Sequence, residues 1–164
     1  MIIGMRGHDF GRMEPRALAL AIREAGFEAT QLAFAKAFPA PAEQYMTPGA
    51  LSEIRSAFAG IVLPMMGCYV SASDRDPDVL AEAKARFKRS LSASVILGAG
   101  CVGTETTHFT FPESEREAAY ARLLDFTREV CAHAEQVHAL VGIEPVALHT
   151  LNTPELTRRL IADV

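Results

Sequence analysis

No apolar run in the sequence reaches the roughly 18 residues that a membrane-spanning helix requires. The N-terminus, Met1 through Arg6, has no basic region followed by a long apolar stretch, so export and membrane insertion both lose support. Cysteine is scarce: Cys68, Cys101 and Cys131 are odd in number, far apart, and without the paired spacing of a zinc site. They read as reduced thiols in a cytoplasmic protein, packed as small apolar residues rather than poised as nucleophiles. Positive charge is not in excess either. A net charge of -4 and a pI near 5.7, with acids and bases spread along the whole chain, leave no footprint for a polyphosphate backbone. Nucleic acid is therefore not expected as a partner. Also missing are a Gly-x-Gly-x-x-Gly turn after the first apolar run and a Gly-Lys-Ser/Thr phosphate loop, so the usual nucleotide sites of open α/β sheets lose support.

What is present repeats. With 49% hydrophobic residues, the 164-residue chain suits one globular domain covering residues 1–164. Four times a helical pattern closes and an apolar run follows almost at once, at 27–34, 61–70, 101–106 and 141–148, and residues 1–7 open the series. Three of these closures use Gly26, Gly60 and Gly98, as expected of left-handed helix ends. Helix entries are marked by Glu14-Pro15, Thr47-Pro48, Asp76-Pro77, Pro112-Glu113 and Thr153-Pro154. Apolar stripes follow: Leu18, Ile22 and Ala25; Leu51, Ile54 and Phe58; Leu80, Ala83, Phe87 and Leu91; Tyr120, Leu123, Thr127, Val130, Ala134 and Val137. Lys84, Arg86, Lys88 and Arg89 read as a solvated outer face.

Runs such as Ile61-Val62-Leu63-Pro64-Met65-Met66 are apolar on both faces, which suits a parallel sheet covered by helices. Five alternating β and α units imply parallel strands with right-handed crossovers. An open doubly wound sheet and an incomplete barrel both satisfy that pattern. The Pro/Ala-rich stretch 38–46 follows the second strand on the side where strands end, and reads either as a mobile lid or as a plain surface loop.

In both architectures strand C-termini converge on one pocket, so polar residues late in apolar strands are the candidates for chemistry. These are His8, Gln31, Tyr69, Glu105, Glu144 and His149. Glu144, within Val141-Gly142-Ile143-Glu144-Pro145-Val146, is a carboxylate in an apolar strand and needs either a cation or a basic partner. Glu105 poses the same question. His149 either touches substrate or bonds to its own turn, and His8 is open in the same way. His108, His133 and His138 show no metal-ligand spacing and fit surface or interhelical positions.

Several segments together resemble the xylose isomerase-like sugar phosphate isomerase/epimerase family: Gly67-Cys68-Tyr69, Arg86-Phe87-Lys88, Val102-Gly103-Thr104-Glu105-Thr106, Gly142-Ile143-Glu144-Pro145-Val146 and the run from His149 to Glu155. The resemblance implies the first five βα units of a (β/α)8 TIM barrel with parallel strands. It also implies a divalent cation, manganese in the first place and magnesium or cobalt as alternatives, and two glutamates that move a proton beside the carbonyl of a sugar or sugar phosphate. Glu144 matches the fifth-strand glutamate that is metal ligand and half of that acid/base pair. His8, Tyr69, Glu105 and His149 would contact substrate.

In that family the remaining ligands lie on the sixth to eighth strands, beyond Val164. The expectation is therefore an isolated chain with little turnover, whose open edges drive homo-oligomerisation or require the missing C-terminal units. Two rivals stand beside this reading. An apurinic-site endonuclease shares the barrel but would carry histidine zinc ligands after the third and fourth strands, where Gly67-Cys68-Tyr69 and Thr104-Glu105-Thr106 stand. A non-catalytic half-barrel assembly module is the other.

Overall fold

The proline-marked entries all become helices in the computed structural model, which describes residues 1–164. Helix α1 is Pro15–Glu24, a short α2 is Phe34–Ala37, and α3 is Pro48–Ala57; α4 is Pro77–Leu97, α5 Arg116–Val137 and α6 Pro154–Asp163. Proline suits the first turn because its missing N–H would have no partner there. Thr47, Asp76 and Thr153 add side-chain caps, accepting from the N–H groups of Ala50, Asp78 and Leu156. Gly98 ends α4 in the left-handed region at φ 72°, and His138 does the same for α5 at φ 56°, a conformation a side chain tolerates less well than glycine.

Five parallel strands alternate with these helices: β1 Gly4–Arg6, β2 Ala29–Gln31, β3 Met66–Gly67, β4 Val102–Glu105 and β5 Val141–Glu144. β1 pairs with β2, and β3 with β4 and β5. The two groups are stitched by parallel bridges from Ala29 to Val62 and from Leu32 to Met66, so the spatial order follows the chain. That order decides between the two architectures. A doubly wound sheet reverses direction at a switch point and places helices on both faces. Here the order never reverses, and α3 packs against both α1 and α4 while α4 packs against α5, in one continuous layer. The result is the arc of a partial TIM barrel.

Strand ladders are shorter than the apolar runs, most clearly in the third, where only Met66 and Gly67 pair as a strand within 61–70. Pro64 lacks an N–H, and it also breaks the alternation: Ile61 and Leu63 are buried before it, Met66 and Cys68 after it. Burial on both faces was expected of this run, yet Val62 is 47% exposed, because the inner face of the arc has nothing opposite. The predicted stripes are buried, with two exceptions. Ala25 lies at the exposed end of α1 and Val137 is only partly covered. One apolar cluster of 29 residues runs from Leu18 and Ile22 to Val130 and Leu160. No helix is long and apolar enough to cross a membrane.

Of the four basic residues of α4 expected on a solvated face, Arg89 is exposed, whereas Lys84 and Lys88 are engaged by the next helix. Lys84 reaches Asp125 at 2.5 Å and Glu129 at 2.8 Å, and Lys88 reaches Glu129 at 2.6 Å, tying α4 to α5. Hydrogen bonds from Lys84 and Lys88 hold the Glu129 carboxyl below its ordinary pKa. A depressed folded-state pKa stabilises the fold above the unfolded carboxyl pKa and loses that stabilisation as pH falls through the folded value. Acidification from neutrality should therefore lower the melting temperature more in the wild type than in a Lys84→Met, Lys88→Met chain. Equal acid-induced shifts would show that the pairs contribute nothing.

Candidate active site at the strand ends

Each strand carries a small residue followed two positions later by a polar one: Gly4-Met5-Arg6, Ala29-Thr30-Gln31, Gly67-Cys68-Tyr69, Gly103-Thr104-Glu105 and Gly142-Ile143-Glu144. Because strand residues alternate between faces, each pair shares one face. That face is the inner one: of the intervening residues Thr30, Cys68 and Thr104 are buried, while Met5 and Ile143, in the two outermost strands, are less covered. The small residues make a floor. A Cβ on Gly4 would meet Ala29 at 2.8 Å, and one on Gly67 would meet Ala33 and the Tyr69 ring, each at 3.0 Å. Above that floor the polar side chains form a row along the strand ends.

Register fixes the row. Arg6 lies opposite Gln31 and Glu105 opposite Glu144, while the Gln31 side-chain amide donates to the Tyr69 hydroxyl oxygen at 2.7 Å. Tyr69 thus has its oxygen occupied as acceptor and keeps its own O–H to donate. Burial, and behind it the charges of Glu105 and Glu144, push the Tyr69 pKa upward despite the Gln31 bond, so the phenol stays protonated at neutral pH. Like charges directly opposite one another in a sheet are destabilising, so the Glu105 and Glu144 pair costs stability rather than adding it.

The two glutamates have no basic side chain within ion-pair distance, which removes the structural salt bridge as their reason for being there. Glu144 was expected to be buried, and it is exposed. β5 is an edge strand, and nothing covers its inner face. No group of three or more His, Cys, Asp or Glu side chains is placed to hold a metal ion. The residues present therefore do not by themselves fit a complete cation site.

The histidine candidates separate. His8 sits in the tight turn Gly7–Phe10 after β1, with Nδ1 buried and unbonded. Its pKa is lowered by burial, against a smaller raising effect of Asp9 and with Lys36 and Arg6 adding to the lowering, so it is neutral at pH 7. His149 instead packs edge-on against His108, ring centroids 5.6 Å apart, where the loops after β4 and β5 form an antiparallel bridge. Its Nδ1 is buried without a partner, so the expected bond to its own turn is not made, and no hydrogen bond or ion pair joins it to the row. His133 bonds Ser92 between α4 and α5 at 3.0 Å, the interhelical position foreseen.

Two residues were missed. Arg6 obeys the same small-x-polar spacing as the others, a signal plainly present in the sequence. Lys36 gave none, because it follows its strand in an unforeseen helix, α2, which sets its ammonium 3.7 Å from the Tyr69 ring centroid. The 38–46 stretch is neither a free lid nor a bare loop. Phe38 is fully buried and stacks on Tyr45 and Phe34 at centroid distances of 4.7 and 4.9 Å. The cysteines are all free thiols; Cys68 is buried, and burial raises the pKa of each, which suits the packing role.

Residues 19–164 match the family described as xylose isomerase-like TIM barrel. The chain belongs to that family. Among solved structures it is similar to the 3-keto-D-glucoside 4-epimerase YcjR from E. coli, at 17% identity and TM-score 0.82, covering 99% of this chain and 64% of that one. It is also similar to a D-psicose 3-epimerase with D-tagatose from Clostridium cellulolyticum H10, at 17% identity and TM-score 0.78, covering 99% and 60%. The IolI protein with a bound zinc atom matches at 16% identity and TM-score 0.76, covering 99% and 58%. At these identities the likeness is one of fold. The chain spans less than two thirds of the length of each of these three, 64% at most. No curated protein matches the sequence. For this xylose isomerase-like chain, the strand-end row lies at the C-terminal end of the barrel strands, where TIM-barrel enzymes carry their active sites.

Proposed function

We propose that these residues form one folding unit that supplies the first five βα units of a sugar epimerase or isomerase, an enzyme that moves a proton on the carbon beside a carbonyl. The observation that carries this reading is the pair of registered carboxylates, without basic partners, beside a protonated tyrosine and above a floor of glycines. Such a floor lets a sugar lie close to backbone. In this reading Glu144 removes or returns the proton, Tyr69 donates its O–H to a substrate oxygen, and Glu105 accepts from a sugar hydroxyl. His8, neutral in the turn after β1, and His149, in the loop after β5, would border the same mouth.

A divalent cation, manganese or alternatively magnesium or cobalt, would take Glu144 as one ligand and would polarise the carbonyl. Its other ligands would come from further units, which also makes this chain by itself a poor catalyst. Those units, or a second copy of the chain, would cover the open edges, where Ile2, Ile3, Leu148 and Ile161 are each more than half exposed.

The test is solvent-deuterium incorporation next to the carbonyl of ketohexoses, using this chain joined to three closing βα units. Tyr69→Phe in that barrel should raise KM by about tenfold, the worth of one hydrogen bond to a polar substrate, while the metal content is unchanged. A barrel that closes and binds cation but exchanges no deuterium with any ketose would sink the proposal.

A further inference from the structure

A cavity of about 140 Å³ lies between α2 with the 38–46 stretch on one side and the middle of α4 on the other. It is roughly ten times the 10–15 Å³ or so that admits one water. Lys36, Glu43, Tyr69, Arg86 and Arg89 line it, so three cations face one carboxylate. Most basic residues on this stretch of α4 are already neutralised: Lys84 and Lys88 by acids of α5, and Arg89 by Glu82 at 2.8 Å. Arg86 differs. Its one ion-pair contact is with Glu43, at 3.9 Å, beyond hydrogen-bond reach and with a side chain 59% exposed; Asp78 and Glu82 border it on the other side without pairing. Lys36 forms no ion pair and donates no hydrogen bond, and its ammonium rests only on the face of Tyr69. A cation over a ring still has its N–H donors free for an anion.

We propose that this cavity is an anion subsite, held by Lys36 and Arg86, for the phosphate or carboxylate group of a negatively charged sugar. The proposal rests on the epimerase reading and narrows its substrate class. Tyr69 belongs to both the cavity and the strand-end row, so an anion seated here lies one ring away from the row. Charge is distributed in one direction across the mouth. Lys36 and Arg86 line the cavity beside Tyr69 at the end of β3, and Glu105 and Glu144 stand at the ends of β4 and β5, while Arg6 at the end of β1 is already paired with Asp9 at 3.0 Å. A substrate bearing an anionic group can bind in only one sense: charged end over Lys36 and Arg86, carbonyl end towards the carboxylates. The reverse orientation sets like charges together, a strong source of selectivity. Glu43 faces the same cavity and opposes an anion, so it sets the affinity.

The probe is inorganic phosphate, titrated calorimetrically into the 164-residue chain at constant ionic strength, with acetate as a second arm. Saturable binding is expected, weakened at least tenfold by Lys36→Met and by Arg86→Gln, largely retained by Lys36→Arg, and tightened several-fold by Glu43→Gln. Arg158→Gln, an exposed charge on α6, should change nothing. Tighter phosphate than acetate identifies a phosphoryl group, and the opposite order a carboxylate. No saturable binding of either ion, or equal weakening by Lys36→Met, Arg86→Gln and Arg158→Gln, overturns the subsite. Phosphate has no carbonyl, so its binding reports on the subsite without the proton-transfer chemistry. Absence of phosphate binding therefore strikes the subsite alone, and failed deuterium exchange with intact phosphate binding strikes the epimerase reading alone.

Discussion

Glu144→Gln in the closed barrel is expected to reduce kcat by about 10²- to 10⁴-fold, the range associated with a positioned general acid or base. The amide has nearly the shape of the carboxylate, so β5 and its register with β4 should be undisturbed. What is lost is a proton acceptor and an anionic ligand for the cation. The two losses can be told apart. If Glu144 is a ligand, manganese affinity measured by titration falls together with kcat; if it is only a base, affinity holds while exchange stops. Glu105→Gln serves as the internal comparison. Its side chain stands opposite Glu144 in the same ladder, so a purely electrostatic effect of removing one of two adjacent charges should appear in both variants. Equal, small losses in the two would remove Glu144 from the catalytic role. The folded chain itself should be slightly more stable in either variant, since each relieves the same repulsion.

The order of elements was legible because its signals are local. Proline after a capping residue starts a helix wherever it stands, and glycine past the last turn ends one, so Thr47-Pro48, Asp76-Pro77 and Gly98 could be placed from sequence. Glu105 and Glu144 stood out because a carboxylate in an apolar strand has few structural uses. Other features depended on partners far along the chain. Lys84 and Lys88 have the composition of a solvated face, and only the packing of α4 on α5 brings Asp125 and Glu129 to them, 41 residues away. The exposure of Glu144 and Val62 could not be read from their own segments, because it depends on what stands across the arc. Lys36 became visible only through α2, whose single turn has no cap or stripe to announce it.

Phe87→Ala should be the most damaging substitution away from the strand ends, costing about 3–5 kcal/mol. Phe87 and Phe126 are both fully buried and meet edge to face, with ring centroids 5.5 Å apart, at the contact between the two longest helices. Removing the ring loses its burial and leaves a cavity, and it also forfeits the edge-to-face contact, itself worth about 0.5–1.5 kcal/mol. For a chain of this size about 1 kcal/mol moves the melting temperature by roughly 2–4 °C, so a drop of about 6–20 °C is expected. Denaturant melts of Phe87→Ala, Phe126→Ala and the double variant would separate the pair from its surroundings. The double variant should lose less than the sum, since either ring's removal already ends the contact. A loss below about 1 kcal/mol for Phe87→Ala would mean that the interface between α4 and α5 relaxes freely, and that the helix layer behind the strand-end row is softer than its packing implies.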